Sequence, residues 1–393
     1  MTFPLLVSIK LVFWVGVVWL AYVYAGYPCF LWLLGLVRRV HPASDSGPLP
    51  SVSVLIAARN EEKDIAWKIR QTLAWDYPAD RLRVLVASDA SEDGTDRILE
   101  AIKDERFSFV RMTERVGKNA ALNRLVQLAA GDLLFFTDAN SDIDAQCLRR
   151  MVRHFADSRV GCVTGVEENP GEKKAAALST GGRTYLNYES VVNQLESRMG
   201  SVLVCDGSIF LMRRCLYGSV KPELANDLEL PIRIGYNGLW VLYEPSARSL
   251  EHATHSFREE FSRRKRICGQ GILGMWSLRR HLRGLRAWQF FSRKLLRWFS
   301  LVPCCLIFVA SVAQARNPWF AALLAPQIAF LIFALLGWRA TLRGKPTSAL
   351  ISLPFYFLLV NLAAVVGIVQ ALLGRRFAVW EIASLSRGKE RVA

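Results

Sequence analysis

Cysteine is sparse and unpatterned in this chain: eight residues in 393, no Cys-x-x-Cys spacing, and one adjacent pair at Cys304-Cys305. That excludes a zinc ribbon and a disulfide-stapled scaffold, so the thiols read as small buried apolar residues in a reducing compartment. Acids are also short, with 34 Asp and Glu against 50 Lys and Arg and a formal net charge of +16. Such an excess favours the anionic cytoplasmic leaflet and phosphate-bearing substrates. Nucleic acid is not expected as a partner, because the cations do not interleave with an aromatic platform in a soluble module. Usable phosphate-binding glycine motifs are missing as well. Gly117-Lys118 lacks the preceding glycine and following Ser or Thr of a P-loop, and Gly269-Gln270-Gly271-Ile272-Leu273-Gly274 follows a basic helical stretch rather than a strand.

What the chain has in abundance is apolar sequence, 52% of its residues. Residues 5–36 are almost continuously apolar, with Lys10 the only charge before Arg38-Arg39, which reads as a transmembrane helix. The Arg pair places the following segment in the cytosol by the positive-inside rule. A Pro-rich linker occupies 41–50. Three further apolar stretches, 301–315, 319–338 and 348–373, follow a basic-aromatic run at 288–299. Four full spans would put the basic tail outside, against the same rule, so one segment is expected to be re-entrant or interfacial.

Between them the apolar signal becomes short and periodic. Strands are expected at 51–58, 82–88, 107–112, 160–166, 202–205 and 209–212, and helices at 61–73, 92–103, 117–129, 145–155, 183–199 and from Asn226 onward. Asn226 or Asp227 is available as the cap of that last helix. A stretch rich in Gly and Lys at 167–182 reads as a loop, and 257–281 as a basic amphipathic helix suited to the headgroup region. The alternation argues a doubly wound α/β sheet.

The centre of this pattern is Asp132-Leu133-Leu134-Phe135-Phe136-Thr137-Asp138-Ala139-Asn140-Ser141-Asp142, a buried strand that breaks into carboxylates and amides. The first two strands also end in polar clusters, Arg59-Asn60-Glu61-Glu62 and Asp89-Ala90-Ser91-Glu92-Asp93-Gly94-Thr95. In open α/β sheets the ligand crevice lies at this end of the strands, where a carboxylate beside a second oxygen can carry a hard cation and through it a phosphate.

The order of motifs resembles the membrane-bound family 2 glycosyltransferases, relatives of cellulose, chitin and hyaluronan synthases, over roughly residues 50–275. It rests on Ala57-Ala58-Arg59-Asn60-Glu61, the turn at 88–95, Gly117-Lys118-Asn119, Asp138-Ala139-Asn140 as a variant D-x-D, Asn226-Asp227, and Arg263-Arg264-Lys265-Arg266. The resemblance implies a GT-A fold, Rossmann-like with a mostly parallel sheet, combined with transmembrane and interfacial helices. It also implies a nucleotide-sugar donor, a UDP-sugar ahead of a GDP-sugar, a divalent cation (Mg²⁺ or Mn²⁺), and inversion at the anomeric carbon.

Carried over by residue, Ala57, Glu61, Asp89, Lys118, Asp138, Arg263 and Arg266 bind the donor, Asp138 and Asn140 the metal, and Asp206 and Gly207 the acceptor. Asp227 is the catalytic base, with Glu229 next in line. Because Asn140 is a neutral ligand, Asp142, His252 or His255 are further cation candidates. The implied organisation is a transmembrane helix over 1–40, a linker over 41–50, the GT-A domain over 51–255, basic interface helices over 256–299, membrane segments over 300–374 and a basic tail over 375–393. The processive Q-x-x-R-W signature reads here as Arg263-Arg264-Lys265-Arg266-Ile267, which favours transfer of one sugar to a lipid-linked or membrane-proximal glycan acceptor at the inner or plasma membrane. The alternatives are a processive polysaccharide synthase coupled to export and a catalytically inactive membrane scaffold.

Overall fold

The computed structural model describes residues 3–41, 47–168, 177–250, 256–345 and 347–377. The first apolar run is helical throughout: α1 (Phe3–Ala21) passes through a π-helical turn, Tyr22–Gly26, into α2 (Tyr27–Val37). The chain then enters an alternating region. In order come β1 (Val52–Ala58), α3 (Ile65–Leu73), β2 (Leu82–Ser88), α4 (Thr95–Ala101), β3 (Phe107–Arg111), α5 (Lys118–Leu128) and β4 (Leu133–Asp138). A short β5 (Asp142–Ile143) and α6 (Cys147–Val152) lead to β6 (Val160–Glu168), α7 (Ala177–Ser197), β7 (Phe210–Arg213), α8 (Asn226–Tyr236) and β8 (Trp240–Leu250).

These strands form one sheet in the order β3-β2-β1-β4-β7-β6-β8-β5. The first four are parallel, and β7 enters antiparallel to both β4 and β6, so the sheet is mixed beyond β4. β1 is buried at all seven positions, as expected of a central parallel strand covered on both faces. Its residues split with period two. Val52, Val54, Ile56 and Ala58 join the core with Ile65, Ile69 and Leu99, while Leu55 and Ala57 join the opposite core with Leu122, Leu125 and Leu230.

Several expected elements move. Helices expected at 61–73 and 92–103 begin late, because the polar residues before them are spent on the turns after β1 and β2. The strand expected at 202–205 is absent. Only Ser201 makes a bridge, to Val241 of β8, a strand that the sequence pattern left unread. The loop expected at 167–182 is shorter, since 167–168 belong to β6 and α7 starts at Ala177; residues 169–176 lie outside the described residues. Neither Asn226 nor Asp227 caps α8. Asn226 is already helical, the cap position is Ala225, and no side chain bonds there.

Beyond the sheet come α9 (Phe257–Leu278), α10 (Gly284–Gln289), a π-helical turn at Phe290–Leu295, α11 (Leu296–Trp298), α12 (Leu301–Ala313), α13 (Pro318–Leu342) and α14 (Ala349–Leu372). α9 packs on α14 and α8 rather than presenting a free amphipathic face. The glycine motif on it serves that packing: a Cβ at Gly269 would lie 2.2 Å from the Phe377 ring and one at Gly271 2.3 Å from Trp298. Among the described residues three helices are long and apolar enough to cross a membrane, within 8–37, 318–342 and 349–372. The segments 284–298 and 301–313 would make a fourth if taken together, but they are bent by 53° at the break. Of the four apolar stretches, this bent one departs furthest from a straight span.

Candidate active site

The three central strands end side by side. Ala57 of β1 stands in register with Ala87 of β2 and Asp138 of β4, so the turns leaving these strands share one edge of the sheet. Just past β1 and β2, Asn60 and Ala90 take left-handed backbone conformations, with φ of 52° and 50°. Each costs on the order of 1–3 kcal/mol for a residue with a side chain, and persists only where its surroundings over-determine it. Here they do. The Asn60 N–H donates to Ser91 Oγ at 3.1 Å, and its own Oδ1 accepts the Glu92 N–H at 2.8 Å. Arg59, to which the sequence pattern assigns no role of its own, lies buried across both turns. Its guanidinium donates to the carbonyls of Asp89 and Ala90 at 2.7 and 2.6 Å and to Glu92 at 2.8 Å.

The buried Asp89 carboxylate accepts the N–H groups of Val116 and Gly117 at 2.8 and 3.0 Å. Gly117 has a φ of 89°, a conformation that suits glycine, and it delivers Lys118 to the first turn of α5. From there the Lys118 ammonium is ion-paired with Asp138. Glu61 is buried in the turn after β1, where its N–H donates to Thr95 Oγ1 at 2.7 Å. The residues expected on the donor side, Ala57, Glu61, Asp89, Lys118 and Asp138, are thus gathered at one edge.

A hard cation fits this edge in one specific way. Asp138 and Asn140 are oxygen donors two residues apart in one turn, and the Asp138 carboxylate already holds a cation, the Lys118 ammonium. No group of three or more His, Cys, Asp or Glu that could hold a metal occurs among the described residues. An ion shared with a substrate diphosphate suits such a site better than an all-protein cage. Asp142 is engaged elsewhere, its carboxylate accepting from Gln71 on α3, and His252 and His255 lie outside the described residues.

On the other side, Asp206, Gly207 and Asp227 meet. The Cys205 N–H donates to the Asp227 carbonyl at 2.9 Å, and a Cβ at Gly207 would stand 3.6 Å from Asp227 Oδ2. Burial pushes the Asp227 carboxyl up from its ordinary value, while the positive charges of Lys118, Lys294 and Arg266 draw it back. Asp206 is pushed up to about 7, by burial first and by the Glu167 carboxylate second. Arg263 donates to Glu167 Oε2 at 3.1 Å, and Arg266 lies one turn later on α9. Glu229 is bound to Arg233 in an ion pair, one turn along α8. Lys294 and Glu167 had no signal in sequence, since each reaches the site only through packing of distant elements.

Residues 53–219 match the family model described as glycosyl transferase family 2. The chain is 30% identical over 196 residues to a beta-monoglucosyldiacylglycerol synthase of Synechocystis, covering 48% of this chain and 40% of that protein. It is 25% identical over 310 residues to the Bacillus subtilis protein named as glycosyltransferase YdaM, covering 72% of each. The chain thus spans about two fifths of the first relative's length and nearly three quarters of the second's. In fold it is similar to the mannosyltransferase PcManGT of Pyrobaculum calidifontis, solved with GDP-Man and Mn²⁺. The TM-score is 0.68 at 22% identity, over 90% of this chain and 99% of that one. With the strand-end motifs, the mixed sheet and the apolar helices all in place, residues 53–219 form a glycosyl transferase family 2 domain on a GT-A fold.

Proposed function

We propose that this protein transfers one sugar from a nucleoside-diphosphate donor to a hydroxyl of a lipid-linked or membrane-proximal acceptor, with inversion. The observation that carries the reading is the convergence of two half-sites. The Lys118–Asp138 pair stands on one side and Asp227, against Gly207, on the other, with Lys118 close enough to act on the Asp227 charge.

Asp227 takes the acceptor proton as the new bond forms at the anomeric carbon. Burial raises its carboxyl and so strengthens it as a base, while the positive charges of Lys118, Lys294 and Arg266 oppose that rise. Lys118 and Arg266 meet the negative charge that develops on the departing nucleoside diphosphate. A divalent cation held by Asp138 and Asn140 would add Lewis-acid stabilisation of the same leaving group. Asp206 and Gly207 orient the acceptor beside Asp227, and Ala57, Glu61 and Asp89 hold the nucleoside. A cytosolic domain carried by helices long enough to cross a membrane would meet soluble donor and lipid-borne acceptor at one surface. The donor base stays open between uridine and guanosine, and the replacement of the processive Trp by Ile267 supports a single transfer.

The test is transfer from UDP- and GDP-sugars with Mn²⁺, using the full chain in lipid nanodiscs and a membrane-lipid extract as acceptor. Asp227→Asn should lower turnover by about 10²- to 10⁴-fold. Donor dissociation constants should stay near those of the parent, because a base acts on the acceptor proton and hardly touches the nucleotide. Near-parent turnover would move the base elsewhere. Nucleotide release without any glycosylated product would remove the acceptor reading.

A further inference from the structure

α3 reaches beneath the Asp138-Ala139-Asn140 turn with two side chains one helical turn apart. Lys68 is fully buried, at 0% exposure. Its ammonium donates to Thr137 Oγ1 at 3.0 Å and to the Ser141 carbonyl at 2.7 Å, and stands 6.0 Å from the centroid of the Trp75 ring. Gln71 donates to the Asp142 carboxylate. The two atoms gripped by Lys68 bracket the turn, one just before Asp138 and one just after Asn140. Across the turn the Ser141 N–H donates to the Asp138 carbonyl over a long 3.4 Å.

A lysine removed from water is costly, and an apolar residue would fill the same space more cheaply. Its retention calls for something that its hydrogen bonds or charge accomplish. The adjacent site has one carboxylate and one neutral amide for a hard cation, so its affinity depends on how accurately those two oxygens are aimed. Partners behind the ligands of a metal fix their orientation, and Lys68 occupies such a place.

We propose that Lys68 is a positioning residue for the cation edge of the donor site. From beneath the sheet edge it fixes the turn over 137–141, so that the Asp138 carboxylate and the Asn140 amide oxygen face the same ion. Gln71 anchors the far end of the turn by way of Asp142, which turns that acid into part of the frame. The inference rests on the nucleotide-sugar reading and adds to it a residue that touches neither substrate nor ion.

The test uses the purified full chain in detergent, with Mn²⁺ titrated in the presence of UDP and, separately, GDP. The readout is the paramagnetic resonance signal of free Mn²⁺, so no turnover is required. Lys68→Met should weaken Mn²⁺ binding by roughly 10- to 100-fold, the range seen when a partner behind a metal ligand is removed. Thr137→Val keeps the shape and removes one of the two grips, so it should shift binding in the same direction by a smaller factor. A merely structural lysine would lower the Tm of Lys68→Met and leave Mn²⁺ affinity unchanged in both variants, which overturns the assignment. Where Lys68→Met does not fold, Thr137→Val decides alone, and parent-like affinity in it overturns the assignment too. A parent protein that binds no Mn²⁺ with either nucleotide would remove the nucleotide-sugar reading itself.

Discussion

At the strand-end edge the Lys118 and Asp138 side chains are 27% and 32% exposed, whereas at the junction with the long apolar helices Arg293 and Glu196 are 2% and 0% exposed. Both regions are dense in charge. At the edge, Arg59 and Asp89 hold the turns after β1 and β2 from buried positions, while Lys118 and Asp138 still open onto solvent. At the junction Arg293, Arg297, Glu189 and Glu196 close on one another. Arg293 bridges Glu189 and Glu196 at 2.5 and 2.6 Å, Arg297 takes the second Glu189 oxygen, and Tyr27 donates to Glu196. Further along, Arg264 contacts Glu260 at 2.7 Å and donates to the Tyr356 hydroxyl at 2.9 Å, tying α9 to α14. Charge left half-open can meet a ligand, while charge closed on itself can only hold elements together.

The comparison breaks most visibly at the junction. Arg293→Met leaves Glu196 buried without its cation and Glu189 with Arg297 alone, and losing one partner of a buried pair costs about 3–5 kcal/mol. Unfolding in detergent followed by tryptophan fluorescence should register that loss. If Arg293→Met unfolds like the parent, the junction is not the structural seam that its burial implies.

A pH dependence sharpens the contrast at Asp206, in the proposed acceptor half of the site. Asp206, pushed up to about 7, has a folded value above that of the unfolded chain. The stability linked to it is therefore whole below the ordinary carboxylate range and is lost as pH rises toward and through about 7. Asp206→Asn cannot ionise, so its Tm should fall less than the parent's between about pH 5 and about pH 8. Scanning calorimetry at the two pH values reads the difference, and parallel falls would count against a burdened Asp206.

The smallest expected effect lies at the open edge. Asn140→Asp adds a charged oxygen beside Asp138 and should tighten Mn²⁺ binding by a few-fold, roughly, since ligand charge helps set affinity for hard cations. Unfolding should change little, because Asp138 and Asn140 are only partly buried. Weaker Mn²⁺ binding would show that the Asn140 amide, and not merely an oxygen at that place, is needed.

Much of this molecule is local in origin. Each parallel strand carries its apolar run and its polar ending in one short stretch, and burial of β1, β2 and β4 on both faces brings those endings to one edge. That is why the polar endings at Glu61, Asp89 and Asp138 could be expected at one edge from residue order, while the roles of Ala57, Glu61, Asp89, Lys118 and Asp138 came from the family resemblance, and why the long helices were legible from length and hydropathy. Tertiary structure decided what had no local signal. Lys68 sits on a helix whose sequence reads as ordinary, and only the packing of α3 under β4 places its ammonium against Thr137 and Ser141. Lys294 and Arg266 act on the Asp227 charge from segments far along the chain, and Arg293 finds Glu189 and Glu196 some hundred residues away. Helical or strand periodicity says which face a residue occupies, but a buried ion pair depends on which faces meet. That choice is made by the packing of α7, α9, α14 and the π-helical turn against one another, where desolvated charges are stable only in the arrangement that pairs them.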